Sequence, residues 1–306
     1  MAGSNGDRLG HWANEKAQRE FTTLDEELRA EAVTSLCEQG WSSAPDEFDV
    51  ETSFGSTHVS RFSGSGVPLV LLHGAGATSL MWFPLLGHLV GRSVYAIDVV
   101  GEPGLSVQRR AIGSSDDLTA WLDEVFHGIS VDRANLVGAS YGGWIALNYA
   151  RRTPNRVAAL VLVEPVLDRV RPWFWVHGLL VVTAFALPRS LARPALRHLH
   201  MGDELLDDKR VRRYGFLGLT RYRRGLPKVT PVTDEELSEI DVATLLLLGE
   251  NSEVHKSEAV ARRVSEANRN IKAEVVSGAG HGLPIDKPDE VAARLLSFIA
   301  ERTAPS

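Results

Sequence analysis

Residues Asn135-Leu136-Val137-Gly138-Ala139 form an apolar run that drives directly into Ser140-Tyr141-Gly142-Gly143, and the helix-compatible stretch 144–150 follows without an intervening loop. A strand that reverses into a helix this abruptly leaves almost no room for side chains beside the turn and holds its apex residue in a strained backbone conformation. Gly138, Gly142 and Gly143 supply the clearance, and Ser140 is the side chain left on display. A Gly-x-Ser-x-Gly pentapeptide alone would mark only a glycine-rich turn. The strand before it and the helix after it make it a device for presenting a hydroxyl.

The rest of the chain can be laid out around that turn. Residues 1–10 read as a tail, and 14–39 as an amphipathic helix in which Phe21, Leu24, Leu28, Ala32 and Leu36 recur every three or four positions, with Gly40 as its stop. Two short alternating runs, 48–52 and 57–62, flank Ser53-Phe54-Gly55-Ser56 and predict an antiparallel hairpin at a sheet edge. Nearly continuous apolar runs then follow at 67–72, 94–97, 135–139, 157–163, 242–248 and 271–277, the pattern of strands covered on both faces. Helical stretches at 81–90, 117–126 and 288–301 alternate with them. The fold class is therefore α/β, a mostly parallel central sheet flanked by helices.

The alternation breaks between residues 166 and 232, where prolines, arginines and the aromatics Trp173, Phe174 and Trp175 replace buried strands. We read this block as an inserted helical cap. The expected organisation is a tail and helix over 1–46, a core over 47–165 and 233–306, and the cap over 166–232. The apolar stretch 173–187 is shorter than the roughly 20 residues needed to span a bilayer, so a buried or lid helix is expected there.

A serine hydroxyl becomes a useful nucleophile only when a base takes its proton. Of the ten histidines, His281 is best placed: it follows the last strand in Ser277-Gly278-Ala279-Gly280, where small neighbours leave one imidazole to project. His73 reads as a structural loop residue. A carboxylate is then needed to orient the imidazole. The loop Gly249-Glu250-Asn251-Ser252-Glu253 offers Glu253 as first choice, with Glu250 and Glu164 as alternatives. Donors for a developing oxyanion are expected from the backbone N–H groups of Tyr141, immediately after the serine, and Ala75, in the open loop His73-Gly74-Ala75-Gly76.

With these residues in order, the chain resembles an α/β-hydrolase over about residues 48–303. The resemblance is carried by His73-Gly74-Ala75-Gly76, Asp98-Val99-Val100-Gly101, Gly138-Ala139-Ser140-Tyr141-Gly142-Gly143 and Gly280-His281. Its N-terminal helix and the Asp98 and Gly249-Glu250 loops are similar to those of bacterial carboxylesterases. The resemblance implies a serine hydrolase acting on a carboxylic ester or lactone through an acyl-enzyme, without metal or organic cofactor. Two departures stand out. Ser252 occupies the position where many members carry an aspartate, which moves the acid to Glu253 or Glu164. Gly101-Glu102-Pro103-Gly104-Leu105-Ser106 replaces the Gly-x-Gly-x-Ser common after the Asp98 strand.

Charge is unevenly spread. Residues 168–228 hold thirteen Lys/Arg against five Asp/Glu, about +8, whereas the whole chain is −6, so nothing global argues for nucleic acid. A basic block most simply marks a solvated face, and it also suits an anionic substrate, an acidic carrier protein bearing an acyl group, or a lipid surface. Trp173 and Trp175, with Gly76, are candidates for the pocket wall and would favour a substrate with an apolar acyl or ring portion. The same residues could serve acyl transfer, cyclisation or carbon–carbon cleavage, or a non-catalytic binding role. The first seven residues lack the basic start and apolar core of a secretory leader, and Cys37 is the single cysteine, so the expectation is a cytoplasmic protein without intrachain disulfides.

Overall fold

The structure, a computed structural model, describes residues 9–168 and 208–303 together with positions 178, 179, 182, 183 and 186. Trp173, Trp175 and most of the apolar stretch 173–187 lie outside the described residues, as does most of the N-terminal tail.

The hairpin expected near the N-terminus is formed by β2 (Asp46–Thr52) and β3 (Gly55–Phe62), paired antiparallel throughout. It edges a nine-stranded sheet completed by β4 (Ser65–Leu72), β5 (Arg92–Ile97), β6 (Val107–Gln108), β7 (Ala134–Ala139), β8 (Val157–Val163), β10 (Thr244–Gly249) and β11 (Ile271–Val276). The order is β11-β10-β8-β7-β4-β5-β3-β2, with β6 beside β3. The six strands from β11 to β5 are mutually parallel, β3 runs antiparallel to them, and β2 and β6 each pair antiparallel with β3. A separate two-stranded sheet pairs β1 (His11–Trp12) with β9 (Tyr222–Arg223).

Alternate residues of the central strands feed two cores. Val70, Leu72, Leu136, Leu160, Leu162, Leu246 and Leu248 pack with Trp121 of α3 (Ser115–Gly128) and Trp144 and Tyr149 of α4 (Tyr141–Arg152). Leu69, Leu71, Val137, Val161, Val163, Leu245 and Leu247 pack on the other face with Trp82 and with Leu295 and Phe298 of α9 (Pro288–Thr303). Burial on both faces is why these strands read as uninterrupted apolar runs. The helix expected over 81–90 is much shorter: a 3₁₀ turn at Ser79–Trp82 leads into α2 (Phe83–Leu86). After it, the N–H groups of His88 and Leu89 bond back three residues, to Leu85 and Leu86, tightening the chain into the turn at Gly91 rather than extending the helix.

The N-terminal helix, α1 (Glu15–Glu38), starts where Asn14 accepts a hydrogen bond from the N–H of Ala17. Its buried residues are Ala17, Phe21, Asp25, Arg29 and Leu36, so two charged residues occupy the middle of the face that the apolar spacing assigned to Leu24, Leu28 and Ala32. They are tolerated because they are paired: Arg29 donates to Asp25 Oδ2 from Nε and Nη2, at 3.2 Å each, and from Nη1 to the hydroxyls of Ser60 and Ser79. The Tyr214 hydroxyl donates to Asp25 Oδ1 at 2.5 Å.

Tyr214 belongs to α5 (Lys209–Arg221), the described helix of the block read as a cap. Phe21 of α1 stacks on it with ring centroids 4.3 Å apart, and two ion pairs join the helices, Arg213 to Glu20 and Arg210 to Glu31. Part of the block's positive charge therefore meets acids of the chain's own N-terminal helix. The shorter helices α6 (Asp234–Ser238), α7 (Ser257–Ala267) and α8 (Leu283–Asp286) and a 3₁₀ turn at Pro154–Arg156 complete the described elements. Among the described residues, no helix is long and apolar enough to cross a membrane.

Candidate active site

The carboxyl ends of β4, β7, β8, β10 and β11 lie along one edge of the sheet, where open α/β sheets hold their ligands. Ser140 caps β7 near the middle of that edge. Its φ of 51° and ψ of −116° place a non-glycine residue in the left-handed half of the map, a strain of about 1–3 kcal/mol. The neighbours enforce it. A Cβ at Gly142 would sit 2.3 Å from the carbonyl oxygen of Leu72, and one at Gly138 would sit 2.4 Å from that of Gly142. The Ser140 N–H donates to the Val163 carbonyl at 3.1 Å, while its own carbonyl accepts from Trp144 and Val166.

His281, in the loop after β11, reaches this serine. Its Nε2 lies 3.0 Å from Ser140 Oγ and its Nδ1 lies 3.0 Å from Glu164 Oε2. With a proton on Nδ1 donated to Glu164, Nε2 of the neutral ring can accept the serine proton. Glu164 directly follows β8, is 1% exposed and has a φ of 49°. Its Oε2 also accepts from the Ser252 hydroxyl at 2.6 Å, and its Oε1 accepts from the Gly249 N–H at 2.5 Å. Burial alone would raise its pKa, but the bond and charge of His281, with His255 and Ser252, hold it below the ordinary carboxylate value. A buried, fully bonded carboxylate of this kind can keep the imidazole oriented and stabilise it once charged.

The acid at the imidazole is thus Glu164, an alternative in the sequence reading, and not Glu253, its first choice. Glu253 Oε2 accepts from the backbone N–H of His281 at 3.1 Å and so restrains the loop rather than the ring. Glu250 accepts from Ser277 Oγ and the Gly278 N–H and fastens the start of the same loop. The physical reason lies in strand order. β8 sits between β7 and β10, which sets the residue after it between the serine and the loop where an acid was expected. Ser252, at that loop's usual acid position, becomes a donor to Glu164.

His255 is a member of this cluster that sequence reasoning passed over. It is buried, its Nε2–H donates to the Pro165 carbonyl at 2.6 Å, and burial lowers its pKa despite the nearby Glu164 charge. Its backbone N–H donates to Ser252 Oγ. It therefore buttresses the turn that carries Glu164. Its position three residues past Ser252 was the available signal.

The loop after β4 runs beside the serine: a Cβ at Gly74 would come within 3.0 Å of Ser140 Cβ. His73 is structural, its Nδ1–H donating to the Gly74 carbonyl and its Nε2 accepting from the Val99 N–H, both at 2.8 Å. Ala75 is exposed at the tip. Tyr141 is the first residue of α4, so its N–H is one of those left without a partner inside the helix. Gly76, proposed for the pocket wall, has a φ of 71° and faces Leu219 of α5, whose Cδ2 would be 2.7 Å from a Cβ there. Leu219 thus lies against the loop at Gly76. The side chains of Tyr141 and Trp144 are turned away, donating to the carbonyls of Pro227 and Thr230. Among the described residues, no group of three or more His, Cys, Asp or Glu is arranged to hold a metal ion.

A strained serine at a strand-to-helix turn, a histidine from the loop after the last strand and this strand order are joined by a direct match: residues 69–294 fit the model of the Alpha/beta hydrolase family, and the chain belongs to that family. Within it, the chain is a carboxylesterase-like α/β-hydrolase. It is 28% identical to carboxylesterase YbfK of Bacillus subtilis over 92% of this chain and 96% of the relative, and 30% identical to the B. subtilis protein described as uncharacterized carboxylesterase nap, over 87% and 90%. Among solved structures, the B. subtilis carboxylesterase CesB (YbfK) superposes with a TM-score of 0.78 at 26% identity, covering 94% of this chain and 99% of that one. The B. subtilis naproxen esterase superposes with a TM-score of 0.75 at 28% identity, covering 88% and 96%.

Proposed function

We propose that this protein is a serine hydrolase that cleaves carboxylic esters or lactones through an acyl-enzyme on Ser140. The observation that carries the reading is the continuous line Ser140 Oγ, His281 Nε2, His281 Nδ1, Glu164 Oε2, with both gaps at 3.0 Å. Ser140 attacks the ester carbonyl as His281 takes its proton. The imidazolium is held by Glu164, and the proton passes to the leaving alkoxide as the tetrahedral intermediate collapses. A water then repeats the sequence on the acyl-enzyme. The N–H groups of Tyr141 and Ala75 serve as oxyanion donors. Leu219, against Gly76 of the loop, supplies an apolar surface suited to an acyl or ring portion. Similarity to Bacillus carboxylesterases along nearly the whole chain supports the ester class.

The test is turnover of p-nitrophenyl esters from short to long acyl chain by the parent and Ser140→Ala. The reading expects turnover that Ser140→Ala abolishes without loss of fold, and a chain-length optimum that reports pocket depth. Full activity in Ser140→Ala would end it.

A further inference from the structure

Glu102 is 1% exposed and carries a charge within the loop system of the candidate oxyanion hole. Its Oε2 accepts from the N–H of Gly76 at 2.9 Å, the residue after Ala75. At the start of the loop His73 Nε2 takes the Val99 N–H at 2.8 Å, and past it the other ties are weaker or internal to the loop. The Gly74 N–H points at the sulfur of Met81 at 3.3 Å, a weak acceptor, and the Ala77 N–H bonds back to the Gly74 carbonyl at 3.3 Å. Glu102 therefore supplies a charge-assisted hold from outside the loop, directly beside the proposed donor.

That hold has an electrostatic drawback, because a buried carboxylate one residue from an oxyanion donor opposes the formation of a second negative charge there. Arg224 offsets it. Its Nε donates to Glu102 Oε1, its Nη2 is ion-paired with the same oxygen, and its guanidinium lies 4.5 Å over the ring of Tyr141, whose N–H is the other proposed donor. Arg224 is itself fixed from several sides. The preceding pair Tyr222–Arg223 is strand β9, bonded to β1. The Gly225 N–H donates to the Gly101 carbonyl at 3.0 Å, and Gln108 Nε2 donates to the Gly225 carbonyl at 3.1 Å. The N-terminal segment and residues 222–225 thus converge on one ion pair, which holds Gly76 through Glu102 and meets the Tyr141 ring through Arg224.

We propose that Glu102 and Arg224 are positioning residues for the oxyanion hole. Glu102 fixes Gly76 and with it the Ala75 N–H, and Arg224 neutralises Glu102 so that a negative oxygen can develop alongside. The inference rests on the reading of Ala75 and Tyr141 as oxyanion donors in an ester hydrolase. It also gives a role to the Gly101-Glu102-Pro103-Gly104 departure noted in the sequence.

The experiment measures kcat and KM on a p-nitrophenyl ester, and inhibition by a trifluoromethyl ketone that forms a tetrahedral oxyanion on serine. Arg224→Met leaves Glu102 uncompensated and should lower kcat by about 10- to 100-fold with KM within about 3-fold, weakening the ketone by the same factor as kcat. The double variant Glu102→Gln/Arg224→Met restores neutrality while keeping an acceptor for Gly76, and should recover kcat to within about 5-fold of the parent. A merely structural pair would leave the double variant no better than the single. Parental kcat in Arg224→Met, or no recovery in the double variant, overturns the proposal. If Arg224→Met melts below the assay temperature, Glu102→Ala carries the test, with the same parallel loss of kcat and ketone affinity expected and a KM-only effect against it. Ser140-dependent turnover by the parent keeps a failure here separate from a failure of the esterase reading. A parent inactive on esters moves the comparison to the rate of fluorophosphonate labelling at Ser140, and a parent that does not label overturns both.

Discussion

Replacing Glu164 by glutamine exchanges one carboxylate oxygen for an amide nitrogen in a site with three donors and no room for adjustment. Oε1 faces the backbone N–H of Gly249, and Oε2 faces the Ser252 hydroxyl and His281 Nδ1. The Gly249 donor belongs to a sheet strand and cannot turn away, so the amide oxygen takes that side and the NH₂ group is left against His281. An imidazole facing a donor must accept at Nδ1 and carry its proton on Nε2, where it cannot take the proton of Ser140. The cost to catalysis should approach that of an acid removed from comparable Ser-His-Asp systems, about 10³- to 10⁴-fold in kcat. Glu253→Gln, which alters an acceptor for a backbone N–H at 3.1 Å, should change kcat by no more than about 10-fold. Steady-state turnover of a p-nitrophenyl ester by both variants decides between the acids. Near-parental kcat in Glu164→Gln, with a large loss in Glu253→Gln, would refute the assignment.

Other consequences concern stability. Glu164 has a depressed pKa, so its contribution is present above its ordinary value of 4.5 and is lost as pH falls through the lower folded value. Thermal melts of Glu164→Gln should accordingly show a shallower acid decline than the parent. His58 lies between Glu47 Oε2 at 2.8 Å and Asp49 Oδ1 at 2.9 Å, and although burial opposes its charge, these carboxylates with Asp98 raise its pKa above 6.5. The stabilisation it gives is complete below 6.5 and is lost as pH rises through the folded value, so His58→Gln should flatten the fall in melting temperature above neutrality. An unchanged slope would remove His58 from that account. Gly142→Ala puts a methyl group 2.3 Å from a backbone carbonyl and should destabilise by about 1–3 kcal/mol in urea titrations while lowering kcat, because it disturbs the serine turn. Parental stability there would contradict the tight reversal.

The turn at Ser140, the strand alternation and the single imidazole after the last strand were legible because each is a local pattern: a period, a run of small residues, a position relative to a strand end. The partner of His281 was not, since it depends on which strands are neighbours. Glu250 and Glu253 are closer to His281 in the chain than Glu164 is. Only the order β7-β8-β10 brings Glu164 to the side of the imidazole opposite Ser140. The face of α1 misled for a related reason. Asp25 and Arg29 look like solvent residues by type, and their burial rests on Ser60, Ser79 and Tyr214, far along the sequence. The short α2 reflects the turn that follows it, which helical spacing over 81–90 did not register. Trp173 and Trp175 fall outside the described residues, so the aromatic wall stands as a sequence expectation.

The central claim is a covalent acyl intermediate on Ser140. Rapid acid quenching of the parent during turnover of a p-nitrophenyl ester, followed by intact-mass and peptide mass spectrometry, tests it directly. A mass increase equal to the acyl group is expected, located on the peptide containing Ser140 and missing from Ser140→Ala. Ester turnover with the acyl mass on another residue, or undiminished turnover in Ser140→Ala, would contradict it.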